Sequence, residues 1–443
     1  MKRQLHLNLF IQGRGSHEAA WRHPLSSTAE LTDISYYQDL ARRAEAGLFD
    51  SIFFADQLTT NTAQTKSAKA LQVWLEPITM LAAIAVATTR IGLIATGSST
   101  YTEPFNLARQ FASIDHISQG RAGWNIVTSW MAAAARNFGD TGQLSHSERY
   151  ALAEEHVQIV KGLWDSWADD TIIDDRQNAV FANTDRIRPI DFKGEYFNVA
   201  GPLNLPRGPQ GHPVLVQAGS SEDGRGFAAR HAEAVFTAHI EKTTAQAFYA
   251  DMKKRVTAEG RRPDQVLILP GLCPTIASTE AEAKQLLLEL SNYADVEIAV
   301  KYLGTWFGGH DFSHLPLDRP LTLADFPDLS NIETSKSRTQ MVINLIQRED
   351  ITLRELLARF AHIGGHYLFA GTAEQVADLI EDWFLDGAAD GFNLMPPLLP
   401  AMLDIFIDEV VPLLQRRGLF RTEYQGTTLR EHYGLERPAS AFS

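Results

Sequence analysis

Residues 91–129, IGLIATGSSTYTEPFNLARQFASIDHISQGRAGWNIVTS, decide the fold. Ile91–Ser98 is an apolar run that ends in small hydroxyl residues. Pro104–Ser118 has the spacing of a helix with proline in its first turn, a favoured place. Arg121–Ser129 returns to a strand pattern and again ends in polar residues. The same strand–helix unit recurs on both sides. Leu5–Ile11, Ser51–Asp56, Val214–Ser221, Ala234–Thr237, Val266–Thr275 and Gly391–Met395 are further short apolar segments, mostly separated by helix-like stretches. Eight such alternations predict an α/β fold, a (β/α)8 TIM barrel, in which the residues at the strand ends carry the chemistry. Asp56, Ser98, Asn125, Ser129, Ser220 and Ser221 are therefore site candidates on position alone.

The units flanking this core are legible in detail. Ser51–Asp56 is continuously apolar until its final aspartate, as a parallel strand covered on both faces requires. Ahead of it, Asp33 or Ser35 caps a helix carrying Tyr37, Leu40, Ala41, Ala44 and Leu48, and Gly47 stands where a helix C-cap glycine belongs. The chain has 443 residues, whereas a plain barrel needs about 250. The excess predicts one barrel domain over 1–443 with insertions near 57–75, 168–212 and 295–350. The second insertion should hold a short hairpin near Ile190–Val199, and the third, an irregular block around GGHDFSHLPLD, should form a lid or an interface.

Composition narrows the function. The net charge of −14 disfavours nucleic acid or an anionic membrane as the main partner, because both call for basic patches. A single cysteine, Cys273, forbids an internal disulfide and suits a reducing, cytoplasmic setting. Its apolar surroundings indicate a core thiol rather than a nucleophile. No apolar run approaches the ~20 residues of a membrane span. A dinucleotide GxGxxG after a strand, a P-loop, HExxH, CxxC and a GxSxG elbow are all missing, so neither a nicotinamide site nor a metal is expected.

Three segments carry local site signals. In QAGSSEDGRGFAARHAE, a strand ends at Gly219 and Ser220–Ser221 open a turn into a helix; free N–H groups and hydroxyls there suit a phosphate. His146 and Tyr150 are four residues apart on one helix face. HEAAWRHP at 17–24 places His17, Trp21, Arg22 and His23 just after the first strand, a set suited to an anionic or aromatic organic substrate.

With these residues in view the chain resembles the bacterial-luciferase-like flavin monooxygenases, in the branch of nitrilotriacetate monooxygenase, dibenzothiophene-sulfone monooxygenase, the pristinamycin-type synthases and long-chain alkane monooxygenase. ARRAEAGLFDSIFFAD, the stretch from EPITMLAAIAVATTR to GWNIVTS, ERYALAEEHVQIVKGLWDSW, GPQGHPVLVQAGSSEDGRGFAARHAEAVF and DGFNLMPP carry the likeness in order along nearly the whole chain. The resemblance implies a two-component enzyme. It would take reduced FMN from a separate NAD(P)H:flavin reductase, form a C4a-(hydro)peroxyflavin with O2, and oxygenate a small organic substrate such as a carboxylated amine or an organosulfur compound. It implies Asp56, Thr96, Ser98 and Asn125 by the flavin ring, His146 and Tyr150 toward the ribityl chain and phosphate, and Ser220 and Ser221 at the phosphate. His17, Trp21, Arg22 and His23 would be the substrate-side catalytic positions, and loop 295–350 would close the pocket. A homodimer or homotetramer is implied, pairing through Glu76–Thr88 and Pro104–Ser118. The family often carries alanine or a bulky hydrophobe where Gly97 stands, a departure expected to alter flavin fit. The alternatives are an F420-dependent oxidoreductase of the same fold, a flavin-binding homologue without turnover, and a barrel hydrolase.

Overall fold

The computed structural model describes residues 3–60, 73, 75–129, 131–139, 144–293, 295–329, 336–361 and 365–441. Eight parallel strands close on themselves: β1 His6–Phe10, β2 Ser51–Phe54, β3 Gly92–Ser98, β4 Ala122–Val127, β5 Val214–Gln217, β6 Ala234–Thr237, β7 Leu267–Ile276 and β8 Gly391–Leu394. Each pairs with the next, and β8 returns to β1 with Asn393 opposite Asn8. The predicted barrel is thus closed, and all eight strands fall where the sequence places them.

Period-two alternation divides each strand between two cores. Phe10, Phe53, Ile94, Val214, Val216, Phe236, Leu267, Leu269 and Met395 pack inside the barrel. Leu7, Leu9, Ile52, Leu93, Ala95, Trp124 and Phe392 pack outward against the helices. Gly97 belongs to the outward set. A Cβ there would lie 2.9 Å from both Leu107 and the Trp124 indole, whose Nε1 donates to the Gly97 carbonyl at 3.0 Å. The glycine therefore makes room for Trp124 in the helix layer rather than altering the fit of a ring at the barrel mouth.

The N-terminal rim is stitched by buried carboxylates, each just ahead of an even-numbered strand. Asp50 Oδ2 accepts the Leu7 N–H at 2.7 Å and ties β1 to β2. Glu233 Oε2 accepts the Leu215 N–H at 3.0 Å and ties β5 to β6. Asp390 Oδ2 accepts the Ile268 N–H at 2.9 Å and ties β7 to β8. Burial works to raise these carboxyls, but cations outweigh it and hold all three below the ordinary range: Arg421 and His6 on Asp50, Arg430 on Glu233, and Lys253 with Arg3 on Asp390. Arg421 and Arg430 come from the C-terminal segment, which plugs this end. Leu429 and Tyr433 join the interior core, and the Tyr433 hydroxyl donates to Asn8 Oδ1 at 2.9 Å.

Elsewhere the structure corrects details. Helix Ile34–Ala46 is capped by Asp33, as expected, but Gly47 has φ −76° and the left-handed residue is Leu48 at φ 62°. What requires glycine at 47 is the Ile407 side chain, 2.7 Å from where a Cβ would stand. Insertion 168–212 contains the expected hairpin, Phe192–Lys193 with Asn198–Val199, and a second one, Ile172–Asp175 with Val180–Ala182. The block near 295–350 is largely helical (Val296–Trp306, Lys336–Arg348, and Leu353–Ala361 beyond it) with its own core around Leu303, Trp306, Phe312, Val342 and Leu356. The Gly/Pro-rich centre obscured helical spacing on either side. A ninth strand, Tyr367–Gly371, pairs with Leu272–Ile276, the outer half of a β7 that outruns its four-residue neighbour β6. Of insertion 57–75, residues 61–72 and 74 lie outside the described residues.

Arg430→Met should destabilise the fold by about 3–5 kcal/mol in urea unfolding, because Glu233 is left buried without its cation. Carboxyls depressed in the folded state contribute stability that is full above their unfolded values and lost as pH falls through the folded ones. The wild-type melting temperature should therefore hold from pH 7 to 5 and drop below about pH 4.

Candidate active site

The C-terminal end of the barrel collects two groups of polar residues. The first lies at the ends of β3 and β4. Thr96 and Asn125 are opposite one another in register. The Thr96 hydroxyl donates to the Phe54 carbonyl at 3.0 Å, so its oxygen is left to accept, and Asn125 Nδ2 donates to it at 2.8 Å. This chain of donors fixes the amide's orientation. Asn125 Oδ1 is then the free end, buried and without a hydrogen-bond partner. A buried acceptor left open is costly unless a ligand completes it.

Ser98 is used locally. It lies 2.7 Å from the Ser129 hydroxyl, and its oxygen accepts from the N–H groups of Thr100 and Tyr101 at 3.2 Å. Asp56 follows β2 and accepts the Gln57 N–H at 2.8 Å. Desolvation pushes its carboxyl up to about 6, with Glu76 adding to the rise and the Gln57 N–H opposing it. Directly after Asp56, Gln57–Thr60 face Ala133, Arg136 and Asn137 across an open cleft of about 660 Å³.

The second group surrounds the turn after β5. Ser221 caps helix Glu222–His231, its hydroxyl accepting the Gly224 N–H at 3.1 Å. Helix His146–Trp164, opened by a Ser145–Glu148 capping box, brings two residues to that turn. His146 Nε2 lies 3.2 Å from Ser221 Oγ. The half-buried Tyr150 hydroxyl faces Ser221, Thr128 and Gln217; burial raises it and these polar neighbours oppose the rise. A Cβ on Gly219 would stand 2.7 Å from that hydroxyl, and one on Gly224 2.8 Å, so glycine is required for so close a cradle. Ser220 lies in the same turn, partly exposed. The structure thus joins Ser221, His146 and Tyr150, and adds Thr128 and Gln217.

Residues 17–23 form a separate cluster that packs over the exit of β8, where Ser16 Oγ donates to the Met395 carbonyl at 2.8 Å. His17 is buried and its Nδ1 accepts the Ala19 N–H at 3.1 Å. Arg22 donates to the Tyr293 carbonyl at 2.6 Å and lies over that ring at 5.0 Å. His23 faces the same ring, and its imidazole is lowered by burial. Trp21 is 40% exposed. Tyr293 ends the helix that follows β7, so Arg22 and His23 clamp that helix to the first loop. Cys273 is buried, with its thiol pushed up to about 12 by burial, as a core thiol should be.

Inside the mouth, Phe10, Phe53 and Phe236 form an aromatic layer with centroids 5.1–5.7 Å apart. His366, which no sequence motif singled out, stacks on Phe236 at 4.8 Å and 12°. Its Nδ1 lies 2.2 Å from where a Cβ on Gly271 would be. Glycine inside strand β7 was the available signal, because it marks a close approach. Among the described residues, no group of three or more His, Cys, Asp or Glu is arranged to hold a metal, and no helix is long and apolar enough to cross a membrane.

The luciferase-like monooxygenase profile matches residues 14–390. The N-acetyl-S-(2-succino)cysteine monooxygenase of Bacillus subtilis (strain 168) is 46% identical over 442 residues, covering 100% of this chain and 99% of its own. Component A of nitrilotriacetate monooxygenase from Aminobacter aminovorans is 43% identical, covering 99% and 98%. The crystal structure of a riboflavin lyase with modified FMN and riboflavin superposes with a TM-score of 0.85 at 32% identity, covering 98% and 96%.

The site makes one prediction free of any ligand. A carboxyl raised by folding favours its proton, so the ionised form costs stability above about pH 6 and nothing below the unfolded value near 4. Asp56→Asn should therefore raise the melting temperature at pH 7.5, by the equivalent of roughly 1–2 kcal/mol after allowance for solvent screening, and leave it unchanged at pH 4. Thermal melts at the two pH values check this.

Proposed function

The chain belongs to the luciferase-like monooxygenase family, and on that premise we propose that it is an oxygenase that binds reduced FMN and inserts one oxygen atom of O2 into a small organic substrate. The observation that carries the cofactor assignment is the open Asn125 Oδ1 on the same barrel face as the Ser221 turn. A flavin offers an N–H on its pyrimidine edge for such an acceptor, and a phosphate for a helix N-terminus beside hydroxyls and an imidazole. The donor set therefore fits FMN at both ends.

In this assignment Ser221, the first N–H groups of helix Glu222–His231 and His146 hold the phosphate. Tyr150 and Ser220 complete that cradle. Asn125 takes the ring edge, and Thr96 fixes the amide by accepting from it. Asp56 and Ser98 shape the neighbouring strand ends. When bound and reduced, FMN supplies the electrons that divide O2 between substrate and water. The protein's share is to bind, orient and exclude water. The aromatic layer of Phe10, Phe53 and Phe236 keeps the floor of the mouth dry, while His17, Trp21, Arg22, His23 and His366 supply its polar rim.

The substrate class we favour is a carboxylated thioether or amine. The names of the two curated relatives above point there, and the imidazole and guanidinium groups of residues 17–23 suit an anion. A separate NAD(P)H:flavin reductase delivers the reduced flavin, since the sequence carries no dinucleotide fingerprint and one relative is named as a component A. The helical unit around 296–361 borders the mouth as a lid, within one barrel domain. A homodimer or homotetramer forms through the helices Pro77–Ala85 and Pro104–Ile117.

The test is anaerobic titration with FMNH2, then mixing with oxygenated buffer and a panel holding N-acetyl-S-(2-succino)cysteine and nitrilotriacetate. Saturable binding of FMNH2 and a product heavier by one oxygen are expected. Binding of F420 in place of FMN, or flavin binding without oxygen-dependent product, overturns the assignment. Ser221→Ala should weaken FMNH2 binding by about 1–2 kcal/mol, the loss of a hydrogen bond to a charged group plus a helix cap.

A further inference from the structure

The imidazole of His146 is held from both sides. Its Nδ1 lies 3.5 Å from Arg149 Nη2, and a guanidinium only donates, so Nδ1 accepts and the ring proton sits on Nε2. Nε2 points at two groups, Ser221 Oγ at 3.2 Å and Asp223 Oδ2 at 3.3 Å. Asp223 stands in the first turn of helix Glu222–His231, where an anion is favoured by the helix dipole. Its neighbour Glu222 is engaged elsewhere, with both carboxylate oxygens on Arg255 and one also on Arg225. Asp223 is paired with His146 instead, and its charge also reaches Tyr150. One acid thus faces two of the side chains assigned above to the phosphate cradle, His146 and Tyr150.

Resting on that assignment, we propose that Asp223 is a resident stand-in for the cofactor's phosphate, which it must yield to when FMN docks. A carboxylate and a phosphate compete for the same His146 N–H, and both want the helix N-terminus. They would also repel each other in a half-exposed site, where the effect is moderate and sensitive to salt. With Asp223 in place, His146 is satisfied in the cofactor-free enzyme. Docking then exchanges one anion for another instead of filling an empty positive site. The consequence is a phosphate affinity kept low, which suits a protein that takes up flavin and lets it go.

The test is equilibrium titration of FMN and of riboflavin, which lacks the phosphate, against the wild type, Asp223→Asn and Asp223→Ala at low and high ionic strength. The wild type should bind FMN more tightly than riboflavin. Both variants should tighten FMN about 3–10-fold at low salt, with the gain shrinking at high salt, and leave riboflavin unchanged. Unaltered riboflavin binding and an unaltered far-ultraviolet circular dichroism spectrum serve as fold controls. Unchanged or weaker FMN binding in both variants, beside a wild type that prefers FMN, overturns the role of Asp223 alone. A wild type that binds the two flavins equally overturns the phosphate assignment itself and the role of Asp223 with it.

Discussion

Three largely buried carboxylates pin the register of three strand pairs, and the rest of the barrel is built on those pairs. Asp50, Glu233 and Asp390 each take the N–H of a neighbouring strand's first residues, so each of these three strand pairs meets at one register only. A slip by one residue would exchange the inward and outward faces of a strand. Phe53 would then leave the interior and Ile52 would enter it. An apolar residue could not do this, because it has no acceptor for the backbone. A carboxylate can, provided a cation offsets its desolvation. That condition explains why the chain's last segment is needed: Arg421 and Arg430 arrive from it, and Leu429 and Tyr433 fill the barrel end below.

The same register positions the chemistry at the opposite end. Ile94, Thr96 and Ser98 share one face of β3, so the step from core to site is one pair of residues along the strand. Asn125 reaches Thr96 because β4 is paired to β3 at that residue. In a closed barrel each strand is placed by its neighbours, so the pinned pairs help to place β3 and β4 through the ladders that join them.

Much of this was legible because it is periodic or punctuated. Apolar runs ending in Asp56, Ser98 or Ser129 name a strand and its polar end together, and GSSEDG announces a turn into a helix. What escaped was long-range. Gly97 reads as a feature of the barrel mouth until Trp124 is seen behind it. Gly47 reads as a left-handed cap until Ile407 is seen above it. The helices near 296–348 were masked by the Gly/Pro-rich stretch between them. His366 had no motif at all, since its place over Phe236 depends on the ninth strand, and that strand exists only because β7 outruns β6. Contacts set by strand length and by which face a glycine presents are not written in any local window.

Charge brings the two ends together. On the proposed assignment a chain of net charge −14 has to admit an anionic cofactor and an anionic substrate. Long-range attraction cannot do this, and at physiological salt it would be screened within about 8 Å in any case. The acceptance of anions is instead local. On the proposed assignment it would rest on helix N–H groups and on His146 backed by Arg149, with residues 17–23 on the substrate side. Short-range donors of this kind discriminate by geometry rather than by net field. The surrounding negative surface then works in the opposite direction, against anions that lack the shape to reach those donors.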